Sequence, residues 1–305
     1  MFAKLFAEAG LSLDRLRALV EVGAAGSIAK AAEGDPIKQS QYSRQIKELE
    51  DFFQARLVER HGKGIRLTPG GRELARISRF FLLGLSTFQR GCLAEEQIFR
   101  IGGGATFIHC FLLPVLAEPP AGQAGPRYAV EITDDLEIER RLHDLTLDFG
   151  IVTAAAISRP LQLQSLGSWR LRLWVPKAVC RNEAQAVLAL KGNRLPLVLP
   201  SRELPTPNLA LFKDCQPRLV CASFLEAKTV LETGRLAALL PDFLAPDERA
   251  GRLLHVGVAG LDRAVFDFRL AWNPRLLRLN PHASRRRDFL IRSLAARMRE
   301  RHSMP

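Results

Sequence analysis

No run of apolar residues in this 305-residue chain is long enough to cross a bilayer. The opening Met1-Phe2-Ala3-Lys4-Leu5-Phe6 lacks the extended apolar stretch of a secretory signal. The cytoplasm is therefore the expected compartment, with no membrane partner. No Cys-x-x-Cys pair occurs among the five cysteines Cys92, Cys110, Cys180, Cys215 and Cys221. An odd number without that spacing fits reduced, mostly buried thiols rather than a disulfide frame. The six histidines are scattered, with no His-Glu-x-x-His, so neither metal nor cofactor is expected. Gly102-Gly103-Gly104 lacks the dinucleotide fingerprint spacing, and no Gly-Lys-Ser/Thr follows it. No nucleophile–base constellation is visible, so no catalytic residue is assigned and the chain is not expected to be an enzyme. Long repeats and low-complexity tracts are absent too.

What the chain does have is positive charge, +12 net with a pI near 10.1, which favours polyanionic partners. Charge alone does not locate a nucleic-acid site. Nine arginines, among them Arg285, Arg286, Arg287 and Arg292, crowd the C-terminal end, where a solvated helix face accounts for them. Length points to two or three domains.

The first ninety residues carry the most specific pattern. Leu13, Leu16, Val20 and Gly23 recur at helical spacing, which predicts a helix from about Leu11 to Ala25, stopped by Gly26. Ser27 suits an N-cap for a short helix over 28–33, and Gly34-Asp35-Pro36 is turn chemistry. A third helix follows, from about Lys38 to Phe53. Tyr42, Ile46, Leu49 and Phe53 advance by four, three and four residues, so they share one stripe. Ser40, Arg44 and Lys47 then face away from it, offering a hydroxyl, a guanidinium and an ammonium to a DNA groove. Two short strand-like runs, 57–60 and 65–68, flank the glycine-rich His61-Gly62-Lys63-Gly64, which reads as a wing. Arg60, Lys63 and Arg66 can reach phosphates from it. Thr68 caps a long helix with Pro69 at its first position. Leu74, Ile77, Phe81, Leu85 and Phe88 form an apolar stripe along that helix, suited to self-association.

Here the chain resembles the LysR-type transcriptional regulators. The matching residues are Gly26-Ser27-Ile28-Ala29-Lys30-Ala31-Ala32, then Gln39-Ser40-Gln41-Tyr42-Ser43-Arg44-Gln45-Ile46-Lys47-Glu48-Leu49-Glu50, then Leu67-Thr68-Pro69-Gly70-Gly71. They fit the family pattern without gaps from about Leu13 to Gly71. Departures from the pattern lie at the turn, where Gly34-Asp35-Pro36 and Lys38 stand in place of commoner residues, and at Phe53-Gln54, Val58 and Gly70. The resemblance implies a winged helix-turn-helix over 11–68 that binds double-stranded DNA. It assigns DNA contacts to Lys30, Lys38, Gln39, Ser40, Gln41, Ser43, Arg44, Lys47, Arg60, Lys63 and Arg66. It also implies a linker and dimerisation helix with a hinge over 69–94; by its polar composition the stretch Gln89-Arg90-Gly91, then Glu95-Glu96-Gln97, is the hinge candidate after the long helix. Expected partners are a second copy, as dimer or tetramer, and RNA polymerase.

Beyond residue 98 strand-like and helix-like segments alternate, in an order that predicts a parallel sheet with helices on its faces. Strands are expected at 99–104, 128–133, 147–152, 170–175, 195–199, 236–240 and 268–272. Helices are expected at 106–116, 136–144, 224–232 and 286–299. This part more weakly resembles the LysR-type effector domain, a periplasmic-binding-protein-like fold of two α/β subdomains, placed at 98–168 with 270–305 and at 169–269. The fold class is thus α plus α/β: winged helix-turn-helix, long linker helix, two-lobed α/β domain. A small-molecule effector is expected in the cleft, touched by Thr106, Asp135, Thr153, Ser201 and Ser223. Strand ends and helix N-termini offer amides there, while Asp134 and Asp135 oppose a strongly anionic ligand. Two alternatives stay open: an α/β small-molecule-binding protein or enzyme, and a thiol redox regulator using Cys215 and Cys221.

Overall fold

The computed structural model describes residues 10–61, 64–92, 98–118, 126–153, 156–204, 216–246, 251–258, 260–261 and 263–303. The chain divides into two compact units, Met1–Glu95 and Glu96–Pro305.

In the first unit, α1 (Leu13–Ala25) packs on α2 (Ile28–Ala31) and α3 (Pro36–Phe53). Its cap is Ser12, whose hydroxyl accepts from the Arg15 amide. Gly26 ends it in the left-handed region at φ 65°, which favours glycine. Ser27 stands at the start of α2 in extended backbone, but its side chain makes no capping bond, contrary to the sequence expectation. The capped helix is α3: Asp35 Oδ1 accepts from the Ile37 and Lys38 amides, and Pro36 takes the first turn. α3 thus begins two residues earlier than its periodicity suggested, because Asp-Pro starts a helix as well as it makes a turn. Leu16, Leu19, Leu49 and Leu57 form a small core, joined by Phe53, Val58, Leu67 and Leu74. A two-stranded ribbon, β1 (Val58–His61) and β2 (Gly64–Leu67), pairs Glu59 with Arg66 and Arg60 with Ile65. The tip residues Gly62 and Lys63 lie outside the described residues.

The long helix α4 (Pro69–Cys92) starts at Thr68, whose hydroxyl accepts from the Gly71 amide and donates to the Arg56 carbonyl. It continues through residues 89–91, so that polar stretch is helix rather than hinge; the second hinge candidate falls outside the described residues.

The second unit holds two five-stranded sheets. In chain order its elements are β3 (Ile98–Gly103), α5 (Ala105–Phe107), a π-helical turn (Ile108–Leu112), α6 (Leu113–Ala117), β4 (Arg127–Ile132), α7 (Asp135–His143), β5 (Phe149–Val152), β6 (Gln162–Trp169), β7 (Leu171–Pro176), α8 (Glu183–Lys191), β8 (Leu197–Pro200), β9 (Leu219–Cys221), α9 (Phe224–Glu232), β10 (Ala237–Pro241), β11 (Leu253–Val256), β12 (Phe266–Trp272), α10 (Pro274–Leu279) and α11 (Pro281–Ser303). Sheet one runs β4-β3-β5-β12-β6 and sheet two β11-β7-β10-β8-β9. The expected parallel core is present, with β3 parallel to β4 and β5, and β8 parallel to β9 and β10. The chain crosses from sheet one to sheet two at Arg170, where Asp242 accepts from the Arg170 amide and returns a bond to its carbonyl. It crosses back into β12, which begins at Phe266.

Candidate nucleic-acid interface and cleft

Burial on α3 follows the apolar stripe, with Ile46 and Leu49 buried and Tyr42 and Phe53 half-buried. Lys38, Ser40, Gln41, Ser43, Arg44 and Lys47 are exposed, as is Lys30 on α2; Gln39 is half-buried. The side chain of Arg44 is 82% exposed, and its guanidinium lies 2.9 Å from Glu48, one turn on. Glu48 also accepts from Arg15 of α1 at 2.5 Å. Those two guanidinium hydrogen bonds hold the Glu48 carboxyl below the usual carboxylate range. Arg44 is thereby held outward by a pairing that a phosphate or a guanine edge can replace.

Glu50, on the inner side of the same helix, fixes the ribbon. Its Oε1 accepts from the Leu57 amide at 2.8 Å and the Val58 amide at 3.2 Å. The Ile65 amide bonds the Gly26 carbonyl, tying the ribbon to the α1–α2 turn. Arg60 and Arg66 are both exposed, but the register sets them on opposite faces of the ribbon, since directly paired residues share a face and neighbours alternate. The sequence reading gave both a reach to phosphates without assigning either to a face of the ribbon. It also missed Ile37, which is 80% exposed at the start of α3 and one seven-residue step before Arg44 on the same face.

On α4 the expected stripe splits. Leu74 packs into the first unit's core, whereas Ile77, Phe81, Leu85 and Phe88 are 51%, 49%, 42% and 74% exposed.

In the second unit, Thr106, Asp135 and Thr153 line one cavity between the sheets, together with Gly104, Phe107, Trp169, Glu203, Phe224 and Phe268. Ser201 and Ser223 do not line it. The Ser201 amide and hydroxyl both donate to the Cys221 carbonyl, and the buried Ser223 hydroxyl caps α9 by accepting from Glu226. The amides expected to stand free are engaged. Asp135 Oδ2 accepts from the amide and hydroxyl of Thr153, both at 2.9 Å. The amide and hydroxyl of Thr106 both donate to Glu203, a residue the sequence reading did not single out, because it sits in a turn with no motif around it. Cys221 is half-buried, and burial pushes its thiol up, away from the reactive thiolate. Its supposed partner Cys215 lies outside the described residues. Among the described residues, no helix is long and apolar enough to cross a membrane, and no group of three metal-ligating side chains gathers.

Residues 13–72 match the model of the bacterial regulatory helix-turn-helix protein, lysR family, and residues 94–295 match that of the LysR substrate binding domain. The chain belongs to the LysR family. Its two matched domains are those of helix-turn-helix regulators rather than of enzymes, and the thiol-switch alternative finds no support at the half-buried Cys221. Among curated relatives, the HTH-type transcriptional regulator HdfR of Yersinia pestis (strain Pestoides F) is 28% identical over 172 residues, 54% of this chain. That match covers 57% of HdfR, so the chain spans little more than half the length of the curated relatives it matches. The LysR-family fold is that of solved ArgP from Mycobacterium tuberculosis, at 19% identity and TM-score 0.64, covering 93% of this chain and 97% of that one. Full-length LysG from Corynebacterium glutamicum, solved with bound effector Arg, gives 19% identity and TM-score 0.60, covering 90% of this chain and 98% of that one.

Proposed function

We propose that this LysR-family chain regulates transcription in the cytoplasm by reading operator DNA with α3. The observation that carries the reading is the outward face of α3: a helix capped by Asp35 and seated through Ile46 and Leu49 presents an exposed Arg44 held by Glu48. In the major groove Arg44 forks onto a guanine or a phosphate. Ser40, Gln41, Ser43, Lys38 and Lys47 add base and backbone contacts, and Ile37 can meet a thymine methyl. Lys30 reaches the flanking phosphates. Arg60, Arg66 and Lys63 grip the backbone beside them, Arg60 and Arg66 from the two sides of the ribbon.

The module spans 11–68 and the linker helix 69–94. Two copies pair through Ile77, Phe81, Leu85 and Phe88, so each assembly reads at least two half-sites. The domain from 98 to 305 takes a small-molecule effector between its sheets, at Thr106, Asp135 and Thr153. The effector alters how the subunits sit on DNA through its differential affinity for the two arrangements. RNA polymerase is the further partner of the DNA-bound form.

DNase I footprinting of the region upstream of the chain's own gene tests the proposal. Paired protected half-sites about 10 base pairs apart, or a multiple of that, are expected with the wild type and are absent with Arg44→Ala. A footprint unchanged by Arg44→Ala contradicts the assigned face.

A further inference from the structure

Glu203 lies in the turn after β8, on the side of sheet two, and its carboxylate is shared across the cleft. Oε1 accepts from the Thr106 amide at 2.7 Å and Oε2 from the Thr106 hydroxyl, both on the segment that leaves sheet one. Oε2 also accepts from the Phe224 amide at 2.8 Å, at the start of α9. Thr106 is 2% exposed, so water does not compete for these donors. Gly104 leaves the approach open: a Cβ there would stand 2.9 Å from Oε1, so any side chain at 104 would make the Glu203 carboxylate shift. A bare backbone, a buried hydroxyl and two converging amides are what a free carboxylate ligand would require. The cavity around this group is walled by Phe107, Trp169, Phe224 and Phe268, with Asp134, Asp135 and Arg202 also lining it.

We infer that Glu203 is a tethered ligand of the cleft: its side chain fills a carboxylate-binding position and joins the two subdomains, so the closed cleft is the resting state and free carboxylates are excluded from that position. The inference rests on the reading of this cleft as the effector site. A tethered group acts at an effective concentration in the millimolar range or above, so an external carboxylate must bind far tighter than that to displace it. Effectors of this chain are therefore not simple monocarboxylates. Removing the side chain beyond Cβ leaves a space the size of acetate, and converts the cleft into an acetate receptor.

The test compares thermal unfolding of the full chain in sodium acetate and in sodium chloride of equal ionic strength. Glu203→Ala is expected to lower Tm, and acetate at millimolar concentrations to restore part of it in a saturable way. The wild type gives no acetate-specific shift. Adding Thr106→Val to Glu203→Ala removes one hydrogen bond to a charged acceptor, and weakens acetate binding about tenfold. Acetate acting no more on Glu203→Ala than on the wild type overturns the inference. Hydrogen exchange on the ligand-free wild type is a second measurement that needs no variant. Slow exchange at the Thr106 and Phe224 amides supports the tether, and exchange as fast as at an open helix end overturns it. If acetate rescues Glu203→Ala while neither the substitution nor acetate alters the DNA footprint, the tether stands and the effector reading of the cleft fails instead.

Discussion

Arg44 and Glu48 illustrate how one side chain can be presented and restrained at once. Their pairing is exposed, so it adds little to stability, but it sets the guanidinium on the outer face. Because the Glu48 pKa is lowered in the fold, its pairing is fully present above the ordinary carboxylate range and is lost as pH falls through the lowered value. It is therefore intact at neutral pH. Glu48→Gln removes a negative charge beside the DNA face and frees Arg44. Affinity for random duplex is expected to rise severalfold while the specific-to-random ratio falls, as read by competition binding at fixed salt. At Cys221, burial holds the thiol protonated at neutral pH. Alkylation of Cys221 by iodoacetamide at pH 7 should be much slower than that of a free model thiol; a rate equal to the model thiol's would reopen the redox reading.

Between elements, the first unit depends on close backbone approaches. A Cβ at Gly71 would lie 2.0 Å from the Leu57 carbonyl oxygen, so α4 can leave the module at its observed angle only without a side chain there. Gly71→Ala should cost roughly 1–3 kcal/mol in chemical denaturation, and a change under about 0.5 kcal/mol would contradict this packing. Removing the Glu50 carboxylate with Glu50→Ala strands the Leu57 and Val58 amides, and should loosen the ribbon without unfolding α3. On α4, Phe81→Asp is expected to shift the sedimenting species toward monomer, because Phe81 sits mid-stripe between Ile77 and Leu85.

The long elements with strong periodicity were legible in the sequence. The stripe of α3, the cap at Thr68 and helix α9 from Phe224 to Glu232 all stand where the pattern put them. Other elements were not. β6 alternates only loosely around Gly167, β9 has three residues, and α8 has an apolar run that does not separate helix from strand. Of the five residues expected at the cleft, Ser201 and Ser223 do not line the cavity. Thr106, Asp135 and Thr153 do converge on one cavity, yet their hydrogen-bonding groups are already engaged inside the protein. That pairing joins residues 97 apart for Thr106 and Glu203, which no local pattern encodes.

For the molecule as a whole, the high positive charge gives any duplex some attraction, and the proposal is that the outward face of α3 makes that attraction selective. The two contributions separate by salt, since phosphate contacts release counterions whereas base contacts do not. Fluorescence anisotropy with a labelled upstream fragment and a scrambled duplex, across a salt series, for wild type and Arg44→Ala, is the most direct test that α3 reads DNA. The expected result is selective binding by the wild type that weakens steeply with salt, and loss of most of that selectivity in Arg44→Ala. Equal affinity for both duplexes, or selectivity untouched by Arg44→Ala, would contradict the account.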